Sequence, residues 1–207
     1  MFKIGVLVSG GGTNLQAIID SITAGELSGI EIASVISSKK DAYALSRAEE
    51  AGINAQYIGR GDYKSSAEYE RALIDRFEGF GVELVVLAGF MIVLGETFLN
   101  AYENRIINIH PALIPSFCGD GFYGLKVHEA ALARGVKVTG ATVHFVTGET
   151  DGGPIILQKA VYINEDDDAA SLQKRVMEEA EWTILPEAVR LISEGRLKIE
   201  GNIVRRI

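Results

Sequence analysis

The sequence predicts an α/β protein with a mostly parallel, twisted sheet and helices on both of its faces. As far as Gly135, short β-rich apolar runs alternate with segments of helical periodicity, the pattern of right-handed βαβ units. Residues 84–88 are apolar throughout, as in strands that are buried on both faces of a parallel sheet. Beyond Gly135 two β-rich runs follow each other closely, and they predict an antiparallel hairpin in the C-terminal part.

The strands are expected where β-branched and apolar residues cluster between turn signals. The last run, 197–207, is expected to form a small terminal hairpin. The expected strands are 4–8, 30–36, 55–58, 84–88, 105–110, 138–146 and 155–163.

The helices are expected where apolar residues recur at three- and four-residue spacing. Ser65 and Glu68 resemble a capping box, and Gly52 and Gly135 stand where a helix commonly ends in a left-handed residue. Residues 168–192 predict one long helix with a kink at Pro186. One further helix begins at Leu15, and another follows Ser65 and carries Leu73, Ile74 and Phe77. The other expected helices span 41–51, 95–102 and 126–134.

The composition fits one domain over residues 1–207. Of these residues 47% are hydrophobic and 23% charged, enough to fill a core and keep a polar surface. The net charge of −8 argues against nucleic-acid partners, which need a positive surface. The single cysteine, the absence of a signal peptide and apolar runs too short to span a bilayer predict a cytoplasmic protein without membrane association. A monomer and a homodimer are both compatible with the sequence.

A glycine turn follows the first predicted strand. Gly12, Thr13 and Asn14 stand where the first helix begins, and a helix N-terminus offers backbone N–H groups and a partial positive charge to an anion. Leu15 replaces the third glycine of a dinucleotide fingerprint, and no P-loop lysine follows, so a single phosphate is the expected ligand. A tight turn without any ligand is the alternative.

Asn108 and His110 end the predicted strand 105–110. Residues two apart on a strand project from one face, and ligands of open α/β sheets bind at such carboxyl ends. An amide can donate to a developing oxyanion, and an imidazole can carry a proton. The alternative is a structural pair that bonds to the following loop.

Asp151 begins an Asp-Gly-Gly-Pro turn between the two hairpin strands. It is either a plain turn residue or a carboxylate that faces His110 and favours its protonated form. The remaining histidines, His128 and His144, look less significant, and no cluster has metal-ligand spacing, so no metal is expected. Cys118 has no base nearby and is expected to be an inert loop thiol.

Taken together, these pieces resemble the phosphoribosylglycinamide formyltransferase family, in order along nearly the whole chain. The matching segments are VSGGGTNLQA (8–17), VVLAGFM (85–91), INIHP (107–111), TVHFV (142–146) and DGGPI (151–155). The resemblance implies the Rossmann-like formyltransferase fold. It also implies formyl transfer from the co-substrate 10-formyltetrahydrofolate to the amine of glycinamide ribonucleotide in purine biosynthesis.

The resemblance also implies roles for individual residues. Asn108 and protonated His110 would stabilise the tetrahedral oxyanion, and Asp151 would hold His110 in its working state. The substrate phosphate and ribose would bind at Gly12, Thr13, Asn14 and Glu181. The folate would bind at Met91, Ile92, Val93, Leu94, Asn108, Thr147, Gly148, Glu149, Thr150 and Asp151.

The chain departs from the family at two positions and in one loop. Ile92 and Ser66 stand where many members have arginine on the folate side, and Lys64 or Arg60 are the candidates to replace that charge. The loop 116–124 is longer than in the commonest family pattern and follows the catalytic strand, so it is expected to reshape one wall of the cleft.

Three other functions are compatible with parts of this pattern. A formyltetrahydrofolate hydrolase would use the same Asn, His and Asp with water, but carries an upstream regulatory domain for which this chain has no room. A transferase acting on initiator tRNA carries a C-terminal RNA-contacting domain, and the acidic chain ends at Ile207. A non-catalytic binder of phosphorylated metabolites would need only the glycine turn.

Overall fold

A computed structural model describes the whole chain, residues 1–207, which divides into two compact units, Met1–Ile107 and Asn108–Ile207. No helix combines the length and the apolar character needed to cross a membrane.

The first unit is a parallel α/β structure with the strand order β3-β2-β1-β4. Its strands are β1 (Phe2–Val8), β2 (Ile30–Ser37), β3 (Ala55–Tyr57) and β4 (Leu84–Leu87). Its helices are α1 (Thr13–Thr23), α2 (Tyr43–Glu50), α3 (Ser66–Phe80) and α4 (Glu96–Ala101), with a 3₁₀ turn at Arg60–Asp62. The alternation of strands and helices that the sequence predicts is therefore confirmed, with ends that move by one to three residues.

The core of the first unit is apolar on both sides of its central strands. All four residues of β4 are buried, as expected for a strand covered on both faces. Phe77, Phe98 and Tyr102 form an aromatic cluster with ring centroids 5.3–6.5 Å apart. Buried Glu70 accepts hydrogen bonds from the N–H groups of Gly95 and Phe98, and so anchors the start of α4.

The Ser65 cap is present, but only half of the expected capping box forms. The Ser65 hydroxyl accepts a hydrogen bond from the Glu68 N–H at 3.1 Å. The Glu68 carboxylate reaches the N–H of Lys64 rather than that of Ser65. The helix still begins at Ser66 after the Ser65 cap, and the Glu68 carboxylate binds the residue before the cap.

The second unit has the strand order β5-β6-β7-β9-β8, and β5 includes the last residues of the first unit. Its strands are β5 (Ile106–His110), β6 (Val138–Phe145), β7 (Ile155–Tyr162), β8 (Leu197–Glu200) and β9 (Ile203–Arg206). Its helices are α5 (Leu125–Arg134), α6 (Ala169–Val176) and α7 (Trp182–Ser193). The pairs β6–β7 and β8–β9 are antiparallel, so both predicted hairpins are confirmed.

The predicted helix 168–192 is not continuous. Asp168 caps α6 as expected, but a five-residue π segment, Met177–Glu181, separates α6 from α7. Pro186 lies inside α7, and the kink expected at this residue stays a prediction. Proline cannot donate to the carbonyl of Trp182 four residues earlier, and the irregular turn lies just before that carbonyl.

Candidate active site

A cluster of four polar side chains lies beside the C-terminal end of β5. Asn108 and His110 come from β5 itself, and Asp151 comes from the turn between β6 and β7. The fourth member is His144 on β6, which the sequence analysis set aside. The structure thus brings the three predicted residues together, while their chemical roles stay predictions.

His110 is 4% exposed, and both of its ring nitrogens have partners. Its Nδ1 lies 3.4 Å from Oδ2 of Asp151, and its Nε2 lies 2.8 Å from the carbonyl oxygen of Phe117. A carbonyl oxygen only accepts, so Nε2 must carry hydrogen in this arrangement.

The protonation of His110 reflects opposing influences. Burial lowers the pKa of His110 below its ordinary value of 6.5. The Asp151 carboxylate and the bond to Phe117 raise the pKa and reduce the net decrease. The site without ligand therefore favours a neutral imidazole that is ready to accept a proton.

Asp151 is held in position by its own turn and by the loop after β5. It adopts a left-handed backbone conformation with φ 55°, and its Oδ2 accepts a 2.9 Å hydrogen bond from the Gly119 N–H. Burial raises the pKa of the Asp151 carboxyl, but the contacts with His144, His110 and Gly119 outweigh it and lower the net pKa. Asp151 is therefore an anion beside two imidazoles.

The glycines of the turn have a structural reason. A Cβ on Gly153 would lie 1.9 Å from the carbonyl oxygen of Phe145, so only glycine fits where the two strands converge. This close packing against β6 accounts for the glycine at position 153 without a ligand.

His144 is 2% exposed and touches two members of the cluster. Its Nε2 lies 3.2 Å from Nδ2 of Asn108 and 3.5 Å from Oδ1 of Asp151. The register between β6 and β7 shifts between Val143 and His144, and such irregularities re-aim side chains next to functional sites. A polar residue between Val143 and Phe145 in a buried strand was the signal that could have revealed it.

The long loop 116–124 contacts the cluster through its backbone. Phe117 supplies the carbonyl that meets His110, and Gly119 supplies the N–H that meets Asp151. Burial and two nearby carboxylates, Asp151 and Glu149, raise the pKa of Cys118, and its thiol donates to the Pro115 carbonyl. These contacts agree with an unreactive thiol.

The predicted phosphate turn lies in the first unit, at the start of α1. Gly12 precedes the helix with φ 73°, and the carbonyls of Gly10, Gly11 and Gly12 accept bonds from within the unit. Arg47 donates to the Gly11 carbonyl at 2.8 Å. With its carbonyls turned inward, the turn presents the positive end of α1 beside the exposed Gly10 and Gly11.

The residues predicted to bind folate lie in two loops, one in each unit. In the loop after β4, Met91 and Val93 are exposed, and Ser9 accepts a bond from the Met91 N–H. In the turn after β6, residues 147–150 are exposed. Exposed apolar side chains on an anchored loop suit a flat, partly apolar ligand.

The structure also shows what surrounds Glu181, predicted to bind the ribose, and Ser66, predicted to replace a family arginine. Glu181 is buried at the end of the π segment, a kind of irregularity that is frequent at functional sites. Where the family arginine is replaced by Ser66, the guanidinium of Arg60 lies against the serine, with Nε and Nη2 3.3 and 3.2 Å from its hydroxyl oxygen. Lys64 is exposed nearby in sequence.

Comparison with known proteins agrees with this architecture. Residues 2–189 match the family model described as formyl transferase. The chain is 39% identical over 203 residues to phosphoribosylglycinamide formyltransferase of Haemophilus influenzae, covering 98% of this chain and 92% of that protein. It is 43% identical over 197 residues to the trifunctional purine biosynthetic protein adenosine-3 of Gallus gallus, covering 95% of this chain and 19% of that protein.

A solved structure is similar over nearly its full length. The crystal structure of glycinamide ribonucleotide transformylase 1 from Symbiobacterium toebii is 48% identical, with a TM-score of 0.94. The match covers 100% of this chain and 94% of that chain. The chain therefore belongs to the formyl transferase family. Within that family it is similar to phosphoribosylglycinamide formyltransferases along nearly their full length, although it spans about a fifth of the trifunctional relative.

Gly12→Ala is expected to destabilise the protein more than Gly25→Ala. Both glycines are left-handed, with φ 73° and 79°, a conformation that costs other residues about 1–2 kcal/mol. A Cβ on Gly12 would in addition lie 2.6 Å from the Cβ of Ala44, whereas one on Gly25 meets nothing within 4 Å. Urea unfolding of both variants measures the difference, and equal losses would contradict the packing described for the turn.

The pKa of His110 is expected to lie below 6.5 and to fall further in Asp151→Asn. Burial lowers this pKa, and the carboxylate is the largest influence that raises it, so its removal leaves burial less opposed. NMR titration of the imidazole carbon resonances gives both values. A higher His110 pKa in the variant than in the unmodified protein would contradict the assigned contact.

Proposed function

We propose that this chain transfers the formyl group of 10-formyltetrahydrofolate to the amine of glycinamide ribonucleotide, the formyl transfer step of purine biosynthesis. The observation that carries the proposal is the cluster of Asn108, His110 and Asp151 in a chain of the formyl transferase family. The matched region extends across both units, so we treat residues 1–207 as one formyltransferase domain. Its partners are these two small molecules, and no metal takes part in the proposed step.

The chemistry needs a stabilised oxyanion and a carrier for one proton. The amine nitrogen attacks the formyl carbon, and the carbonyl oxygen becomes an oxyanion that accepts a hydrogen bond from the Asn108 amide. His110 takes the proton that the attacking nitrogen loses. The resulting imidazolium is stabilised by Asp151 and adds its charge to the stabilisation of the oxyanion.

Collapse of the intermediate completes the transfer. The bond between the formyl carbon and N10 of the folate breaks, and N10 receives the proton held by His110 while the C=O bond re-forms. His110 is neutral at rest and protonated only within the reaction, in agreement with the lowered pKa. When the bond to the Phe117 carbonyl is exchanged for one to the amine, the ring hydrogen must lie on Nδ1, facing Asp151, so that the Nε2 lone pair can take the amine proton.

The binding roles follow the chemistry of each region. The start of α1 with Gly12, Thr13 and Asn14 would bind the phosphate, and Glu181 would bind the ribose hydroxyls. The loop 91–94 and the turn 147–151 would bind the folate. We propose a cytoplasmic enzyme, because the single cysteine excludes an internal disulfide and fits a reducing compartment.

Turnover of purified protein tests the proposal. The protein is mixed with 10-formyltetrahydrofolate, with and without glycinamide ribonucleotide. Folate release that requires the amine and yields the formylated product is the expected result. Equal release in both samples would instead identify a hydrolase. Absence of release together with ribonucleotide binding would identify a non-catalytic binder.

Asn108→Ala is expected to lower kcat by roughly 10²–10³-fold, because it removes one oxyanion donor. The exposed Asn100 on α4 offers a matched control, and Asn100→Ala is expected to leave kcat unchanged. Steady-state kinetics compares the two variants. An Asn108→Ala enzyme with unchanged kcat would rule out the proposed role of the amide.

Arg60→Ala is expected to raise KM for polyglutamylated folate more than Lys64→Ala does. The Arg60 guanidinium is already held by Ser66 and the Tyr63 carbonyl, and two of its five N–H donors remain for a carboxylate. Lys64 is exposed and would lose more side-chain freedom on binding. Steady-state KM values decide between the two residues, and a larger effect at Lys64 would reverse the assignment.

A further inference from the structure

The proposed function assigns no task to His144, although this side chain is the most buried member of the cluster. Only 2% of its surface is exposed, and its ring touches both Asn108 and Asp151. A buried imidazole costs free energy unless its nitrogens are satisfied, so its two partners indicate what the ring does.

The partner of Nδ1 fixes the tautomer. Nδ1 of His144 lies 2.9 Å from the carbonyl oxygen of Phe145, the next residue along the strand. A carbonyl oxygen has no hydrogen to donate, so the hydrogen of this bond belongs to Nδ1. In the neutral ring Nε2 then has a free lone pair and can only accept.

The partner of Nε2 is the amide of Asn108. The distance from Nε2 to Asn108 Nδ2 is 3.2 Å, shorter than the 3.5 Å to the Asp151 oxygen. A lone pair gains nothing from a carboxylate oxygen, whereas it accepts well from an amide N–H. In this tautomer Nε2 therefore makes no hydrogen bond to the carboxylate.

This bond decides which atoms Asn108 presents to the substrate. An amide can rotate by 180° about its last bond with little steric cost, and only one orientation offers N–H groups to an oxyanion. One N–H of Asn108 is bonded to His144. Because the amide group is planar, its second N–H points away from His144 and is available to another acceptor. Because Nε2 of His144 is an acceptor, the Asn108 amide cannot turn its oxygen toward it.

We infer that His144 is a positioning residue, which fixes the Asn108 amide with its second N–H available to the oxyanion. The inference rests on the proposed function, because it assumes that Asn108 stabilises the tetrahedral intermediate. His144 itself touches neither substrate nor reacting atoms in this account. Its effect on the reaction passes entirely through Asn108.

Two amide substitutions at position 144 separate positioning from structural support. Glutamine places its side-chain oxygen near the position of Nε2 and can still accept from Asn108. Asparagine is shorter and can replace only the Nδ1 contact with the Phe145 carbonyl. We expect His144→Asn to lower kcat by about 10–10²-fold with little change in KM, and His144→Gln to retain most of the activity.

A double substitution shows whether the effect passes through Asn108. In the Asn108→Ala background the amide to be positioned is gone, so His144→Asn should lower kcat by less than about twofold further. An equal loss in both backgrounds, or equal kcat values for the Gln and Asn variants, would overturn the inference. An Asn108→Ala enzyme with unchanged kcat would instead overturn the proposed function on which it rests.

His128 provides the control for loss of a buried imidazole. It is fully buried on α5, and neither of its ring nitrogens has a hydrogen-bond partner. His128→Asn should leave kcat unchanged, and thermal unfolding of every variant separates a loss of folding from a loss of rate.

If His144→Asn does not fold, the unmodified protein still supplies a test. An Asn108 N–H bonded to His144 exchanges slowly with water in NMR spectra. Rapid exchange of both Asn108 side-chain protons would overturn the inference.

Discussion

The Asp151 carboxylate between two imidazoles is the interaction on which the rest of the candidate site depends. One oxygen lies 3.4 Å from His110, and the other lies 3.5 Å from His144. A carboxylate with a tenth of its surface exposed is costly unless hydrogen bonds and opposite charge compensate it. Here the Gly119 N–H supplies a hydrogen bond, each ring supplies opposite charge when it is protonated, and these influences together lower the pKa of the carboxyl. The same contacts keep both rings in fixed orientations.

The fold supplies this arrangement through features that would otherwise be unfavourable. Asp151 takes a left-handed conformation, which non-glycine residues adopt at a cost. The strands β6 and β7 give up regular register beside His144, and they converge so tightly that only glycine fits at position 153. The backbone of the loop 116–124 closes the arrangement from the other side. Local irregularity is therefore concentrated where the polar cluster has to be held.

Much of this architecture could be predicted from the sequence because it follows from local pattern. Alternating apolar runs and glycine-ended helices predict βαβ units. Asn108 and His110 are two residues apart on β5, so their side chains project from the same face of the strand in any register. The π segment escaped prediction because its residues have ordinary helical periodicity. His144 escaped because its importance lies in its contact with Asn108, which is 36 residues away in sequence. The half-formed capping box at Ser65 likewise depended on which N–H the Glu68 side chain could reach.

The most direct test of the central cluster is the protonation pattern of its imidazoles. The chain has three histidines, so ¹⁵N NMR of histidine-labelled protein gives three rings, which single substitutions assign. With both rings neutral, the structure predicts hydrogen on Nδ1 of His144, facing Phe145, and on Nε2 of His110, facing Phe117. A neutral His144 with its hydrogen on Nε2 would contradict the account, because such a ring would repel the N–H of Asn108.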